Sequence, residues 1–304
     1  MSAESRPPAR LRRSLLYIPG NSPSLIKGAG LFAPDTLVFD LEDAVALAEK
    51  DAARILVRES LRQRTLVNPC NVELMVRING LDTPFWRDDL DCIMPVGPDA
   101  IRLPKVESPE QIGQLAAALQ EREQRFDLPM GRTAIVAILE TVRGVNAAGA
   151  IAKAHPRLVA LTLGAEDFTR DLGTARSKTG EELAFARGCI VLAAREAGIQ
   201  AIDTVFGDVN DDAGLLAETR LIKQLGFDGK SVIHPRQVRL VHHVFDPTVD
   251  EIEQARRVCA AAKAAAEAGS GVVALDGRMI DTPVVKRAER ILRYAEAVSV
   301  GVNP

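Results

Sequence analysis

The chain has 304 residues, 47% hydrophobic and 26% charged, with a formal net charge of −3. That is an ordinary globular composition, long enough for one large α/β domain plus an extension, and it lacks the basic stripe with interleaved aromatics that binds nucleic acid. Its four cysteines and four histidines fall into no CxxC, HxxxH or HExxH spacing, which argues against zinc and for reduced thiols in a cytoplasmic protein.

Residues 1–12 are polar and basic, precede no apolar core of signal-peptide length, and read as a flexible tail. No apolar run is long enough to span a membrane. Short apolar runs then alternate with helical patterns. The first four runs are 14–18, stopped by Pro19-Gly20; 36–39, leading into Asp40-Leu41-Glu42-Asp43; 72–78, with Arg77 and Asn79 near its end; and 100–103, ending in Pro104-Lys105. The fifth, 135–139, stops at Glu140, and the sixth, 158–163, leads through Gly164-Ala165 to Glu166-Asp167. The last two are 201–204 and 230–233. Between them, residues 109–124 place Ile112, Leu115, Ala116 and Leu119 at helical spacing, residues 181–197 form a helix stopped by Gly198, and Ala44 to Leu47 opens a further one.

Buried strands alternating with helices indicate a parallel sheet. Eight of them predict a closed (β/α)8 TIM barrel over residues 13–245. The competing open, doubly wound sheet calls for a glycine-rich phosphate turn after its first strand, and Pro19-Gly20-Asn21-Ser22-Pro23 lacks that spacing. Residues 246–304 remain as a C-terminal helical extension. It has an alanine-rich helix over 249–269, a Gly269-Ser270-Gly271 break, an apolar run, a turn at Asp276-Gly277 and a last helix to Ala297. The glycines supply hinges for a lid.

Ligands of parallel barrels bind at the carboxyl ends of the strands. Glu140 and Asp167 end what read as adjacent strands, and two carboxylates there suit a hard divalent cation such as Mg²⁺ that keeps positions open for substrate. The same face collects Asp40, Glu42, Asp43, Arg77, Asn79, Lys105 and Glu166. So many acids do not stay unpaired in a dry cleft. Arg77 and Lys105 offset part of the charge, and Arg77 has the fork that grips a substrate carboxylate. Other readings stay open on these residues alone. Glu140 and Asp167 also fit helix N-termini, Asp40, Glu42 and Asp43 a turn cluster, Lys105 a solvated rim charge, and Asp281 an ordinary surface acid.

Seven segments carry a resemblance. They are RSLLYIPGN (13–21), FDLEDAV (39–45), RLPK (102–105), LGAED (163–167), AIDTV (201–205), GFDGKS (226–231) and GRMID (277–281). Together they resemble the beta subunits of citrate lyase, within the HpcH/HpaI aldolase and citrate lyase superfamily. The resemblance implies a Mg²⁺-dependent barrel with Glu140 and Asp167 as metal ligands, and substrate held by Arg77, Lys105 and Glu140. It implies that Asp281 rides on a lid over a neighbouring subunit's site, in a homotrimer or homohexamer, and is protonated there because lid burial raises its pKa. The implied reaction splits a citryl thioester on acyl carrier protein into oxaloacetate and the acetyl thioester, in company with alpha and gamma subunits. Asp281 would be the acid, and a metal-bound water, Glu42, Asp43 or Glu166 the base. The alternatives are a stand-alone malyl-CoA or citramalyl-CoA lyase or thioesterase, and a non-catalytic regulatory or assembly subunit.

Overall fold

Eight parallel strands close on themselves in chain order: β1 (Ser14–Pro19), β2 (Thr36–Asp40), β3 (Glu73–Arg77), β4 (Ala100–Leu103), β5 (Ala134–Leu139), β6 (Leu158–Leu163), β7 (Gln200–Asp203) and β8 (Gly229–Val232). β8 returns to β1 by pairing Ser231 with Leu15. The computed structural model describes residues 10–64, 72–267, 273–276 and 278–302. Its strands are buried on both faces, which is why β5 and β6 read as unbroken apolar runs. The (β/α)8 barrel expected from the sequence is therefore present, with a helical C-terminal extension. No described helix is long and apolar enough to cross a membrane.

The inside of the barrel has two levels. Leu15, Val38, Met75, Ala100, Ala134, Val136, Ala160 and Ile202 form one apolar core cluster. Strand side chains alternate faces, so two residues further along each strand the chain points inward again. There it presents Tyr17, Asp40, Arg77, Arg102, Ile138, Thr162 and Thr204. Above an apolar floor the barrel turns abruptly polar.

Behind the strands, buried charges are paired. Arg187 donates to both carboxylate oxygens of Asp203, at 3.0 and 2.9 Å, and Lys230 Nζ donates to Asp203 at 2.9 Å and to Glu218 at 2.5 Å. Burial opposes ionisation of Asp203, but Lys230 and Arg187 outweigh it and hold the carboxyl below its usual range. Breaking such a buried set costs about 3–5 kcal/mol, because a charge is left without a partner. Arg157 and Glu123 form a second buried pair at 2.7 Å. Arg12, assigned to the tail from its sequence, is instead buried and donates to Glu73 and Gln200.

Two helix expectations shift. The helix expected from Ala44 starts later, with a 3₁₀ turn at Leu47–Glu49 and an α-helix over Lys50–Arg62, because Asp40 binds the N–H groups of Glu42 and Ala44 and holds that stretch as a turn. The helix expected from Glu181 begins as a 3₁₀ turn and continues as Ala184–Ala197.

The chain divides between His242 and His243 into two compact units. In the second, the helices Val249–Glu267 and Thr282–Val302 flank a small antiparallel pair, β9 (Val273–Leu275) and β10 (Arg278–Ile280). Ala255, Val258, Ile280 and Ala288 form its core. The expected hinges at Gly269, Gly271 and Gly277 lie outside the described residues.

Candidate active site

A cavity of about 450 Å³ opens at the carboxyl ends of the strands. Five carboxylates line it (Asp40, Asp43, Glu140, Glu166 and Asp167) against two guanidiniums, Arg77 and Arg102. Strand register explains much of this. Asp40 of β2 pairs with Arg77 of β3, which pairs with Arg102 of β4. Neighbours in parallel register lie about 4.8 Å apart and point the same way. Arg77 Nε and Nη2 consequently donate to the two oxygens of Asp40 at 2.7 and 2.6 Å.

Glu140 follows β5 and is buried in the mouth of the barrel. Its Oε1 accepts the Lys105 backbone N–H at 2.7 Å. Lys105 holds a left-handed backbone, φ 53°, a conformation that is costly for any residue with a Cβ and is retained where the surroundings demand it. On its other side Glu140 presses on Gly164, where a Cβ would stand 2.6 Å from Oε2. Burial, together with the charges of Glu42 and Asp167, pushes the Glu140 carboxyl up to about 8. Asp167 lies in the first turn of the helix Ala165–Leu172 and pairs with the exposed Arg170 at 2.7 Å.

Other expected residues fall differently. Glu42 is buried between Arg77 Nη1, at 2.8 Å, and Lys105 Nζ, at 3.0 Å. Burial raises its pKa against the pull of Arg77. Neither Glu42 nor the Lys105 side chain lines the cavity; Lys105 serves Glu140 through its backbone. Asn79 is buried and donates to Asp89 and to the Leu41 carbonyl, so it braces a loop. Asp43 and Glu166 do line the cavity, Glu166 with Arg176 at 3.5 Å. Asp281 is exposed and accepts the Val284 N–H at 3.1 Å, capping the last helix.

Two cavity residues were not among those singled out from the sequence. Tyr17 offers its ring to both Arg77 and Arg102, 5.1 and 5.0 Å from its centroid. Arg102 is fully buried in the cavity wall. In the sequence Arg102 stood out as a charge inside a four-residue apolar run and as the first residue of the RLPK segment, and Tyr17 as part of RSLLYIPGN.

Residues 13–235 match the family described as HpcH/HpaI aldolase/citrate lyase. The chain is 48% identical over 288 residues to the citrate lyase subunit beta of Leuconostoc mesenteroides subsp. cremoris, which covers 95% of this chain and 94% of that one. The chain belongs to the HpcH/HpaI aldolase/citrate lyase family. Its reaction class is therefore that of a carbon–carbon lyase. A (3S)-malyl-CoA thioesterase of Cereibacter sphaeroides is 36% identical over 287 residues, covering 94% of this chain and 95% of its own. The crystal structure of protein CitE from Mycobacterium tuberculosis in complex with magnesium, acetoacetate and coenzyme A matches with a TM-score of 0.75 at 33% identity, over 94% of this chain and 98% of that one.

The residues fit a magnesium ion on this chain's own geometry. Five carboxylates against two guanidiniums leave an excess of negative charge in a confined space, and Gly164 keeps clear the flank of Glu140 that a Cβ would fill. Among the described residues no group of three or more His, Cys, Asp or Glu is arranged to hold a metal. The candidate is a pair, Glu140 and Asp167, and a hard cation with few protein ligands keeps water and substrate oxygens in its other positions. If Gly164 is there to leave Glu140 in place, Gly164→Ala should weaken Mg²⁺ binding by about 10–100-fold, the usual effect of disturbing a ligand's support, with the barrel still folded by circular dichroism. Unchanged affinity in a calorimetric titration would separate Gly164 from the metal site.

Proposed function

We propose that the chain splits a citryl thioester into oxaloacetate and the acetyl thioester with the help of magnesium. The observation that carries this reading is the convergence, in one cavity, of two strand-end carboxylates and two inward guanidiniums. A citryl group needs both kinds of partner, because it carries a hydroxyl and two carboxylates beside its thioester arm. Magnesium held by Glu140 and Asp167 would act as a Lewis acid toward the hydroxyl oxygen that becomes the keto oxygen.

The chain's own residues do the rest. Arg77, held by Asp40 and Glu42, sets its positive charge in the cavity wall, where it would offset the carboxylate next to the reacting carbon. Tyr17 and the apolar floor keep the cavity's inner end dry, which strengthens these charge interactions. Asp43 takes the hydroxyl proton, since it lines the cavity while Glu42 is committed to Arg77 and Lys105. As the carbon–carbon bond breaks, its electrons pass to the thioester enolate. Asp281 of a neighbouring subunit returns a proton to the enolate carbon, giving the acetyl thioester.

The higher identity to a citrate lyase beta subunit, 48% against 36% for the malyl-CoA thioesterase, favours a citryl group on acyl carrier protein, with alpha and gamma subunits as partners in the cytoplasm. The match to a CitE crystallised with coenzyme A supports a second reading, a stand-alone lyase for CoA thioesters. A panel of citryl, citramalyl and malyl thioesters, on CoA and on carrier protein, tests both. Oxaloacetate should appear from the citryl thioester with Mg²⁺ and disappear with EDTA. Equal rates in EDTA would defeat the metal role, thioester hydrolysis without bond cleavage would favour the thioesterase, and a silent panel would favour an assembly subunit.

The Asp281 role requires a homo-oligomer, in our reading a trimer or hexamer. Asp281→Asn and Glu140→Gln should each abolish turnover. Mixed under subunit exchange, the two inactive proteins should regain part of the activity, because some sites then join an intact barrel to an intact lid. No recovery despite exchange, shown by mass spectrometry, would mean that Asp281 does not serve a neighbour's site.

A further inference from the structure

One cation in the cavity is left over by this chemistry. Arg102 is 1% exposed and lies within the cavity wall. Its Nη2 donates to Ser231 Oγ at 3.1 Å, while Nε and Nη1 have no hydrogen-bond partner. A buried polar group without a partner costs about 1–3 kcal/mol, and a charged one more. The neighbouring cation is in a different position: Arg77 already meets both oxygens of Asp40 and one of Glu42. Glu140 is bound to the Lys105 backbone instead. Thr162, inward-facing by its two-residue spacing from Ala160, holds a second buried oxygen without a partner. Ser231, the anchor of Arg102, also lines the cavity. The guanidinium is thus fixed at one corner, with two of its nitrogens unpaired in the cavity wall.

We propose that Arg102 binds the carboxylate of the substrate's carboxymethyl arm, and so selects substrates that yield a dicarboxylic oxo acid over those that yield a monocarboxylic one. This rests on the lyase reading above, and the two can fail separately. Citryl and citramalyl thioesters differ only by that carboxylate, as do their products oxaloacetate and pyruvate. In Arg102→Met, kcat/KM for the citryl thioester should fall by roughly 100-fold, the scale of a lost charge-assisted contact, while the citramalyl value barely changes. Arg102→Lys, which keeps charge without the fork, should retain part of the preference. Calorimetry on the magnesium-loaded protein supplies a readout independent of turnover: the wild type should bind oxaloacetate more tightly than pyruvate, and Arg102→Met should erase the difference.

Equal losses on both thioesters would make Arg102 a structural counter-charge and overturn the proposal. So would equal binding of the two oxo acids by the wild type. If Arg102→Met does not fold, Ser231→Ala removes only the anchor, and an unchanged citryl-to-citramalyl ratio in it counts equally against the proposal. A wild type that cleaves neither thioester yet shows the Arg102-dependent binding preference would remove the lyase reading and leave the subsite standing.

Discussion

The hydrogen bond from the Lys105 backbone N–H to Glu140 Oε1, 2.7 Å long, holds a carboxylate in the mouth of the barrel where burial opposes its ionisation. Much of the upper barrel follows from that placement. Lys105 takes a left-handed backbone to deliver the donor, Gly164 stays without a side chain to leave room, and Asp167 stands close enough to add its own charge. Each feature is unfavourable for an isolated protein. A divalent cation held there would offset these costs, because it would turn mutual repulsion into shared coordination.

The barrel supports this strain by keeping its charges in separate places. Below, an apolar cluster fills the lumen. Behind the strands, Asp203, Lys230, Arg187 and Glu218 form a buried ion network of their own. On the inner face Asp40, Arg77, Glu42 and Lys105 form a chain of ion pairs. Arg102, whose Nε and Nη1 lack a hydrogen-bond partner, and the buried Glu140 both line the cavity. They lie where a substrate with both oxygen ligands and carboxylates would satisfy them.

Much of this was legible in the sequence because apolar runs end abruptly in charge. Glu140 and Asp167 stand where such runs stop, and the eight runs themselves announce the barrel. Arg102 stood in the RLPK segment without a role of its own. All four positions of β4 are buried, so no alternation in the sequence reveals which side chains face inward, and only the register against Arg77 decides it. Lys105 was picked for its ammonium group, while the structure uses its N–H, a donor that every residue but proline carries. Asn79 misled by position, since it follows β3 but turns toward Asp89. The AIDTV and GFDGKS segments carry Asp203 and Lys230, whose part is structural and lies behind the strands.

The central claim is that Glu140 and Asp167 form a magnesium site at a carboxylate that stays protonated until the metal displaces its proton. Calorimetric Mg²⁺ titration in buffers of differing ionisation enthalpy tests it directly. With the Glu140 carboxyl near 8, it is mostly neutral at pH 7, so binding one Mg²⁺ per barrel should release close to one proton there. At pH 9.5 the carboxyl is already ionised, and binding should be tighter with almost no proton released. Glu140→Gln and Asp167→Asn should each abolish the binding. Magnesium bound at pH 7 with no proton released, or bound equally well by either variant, would contradict the account.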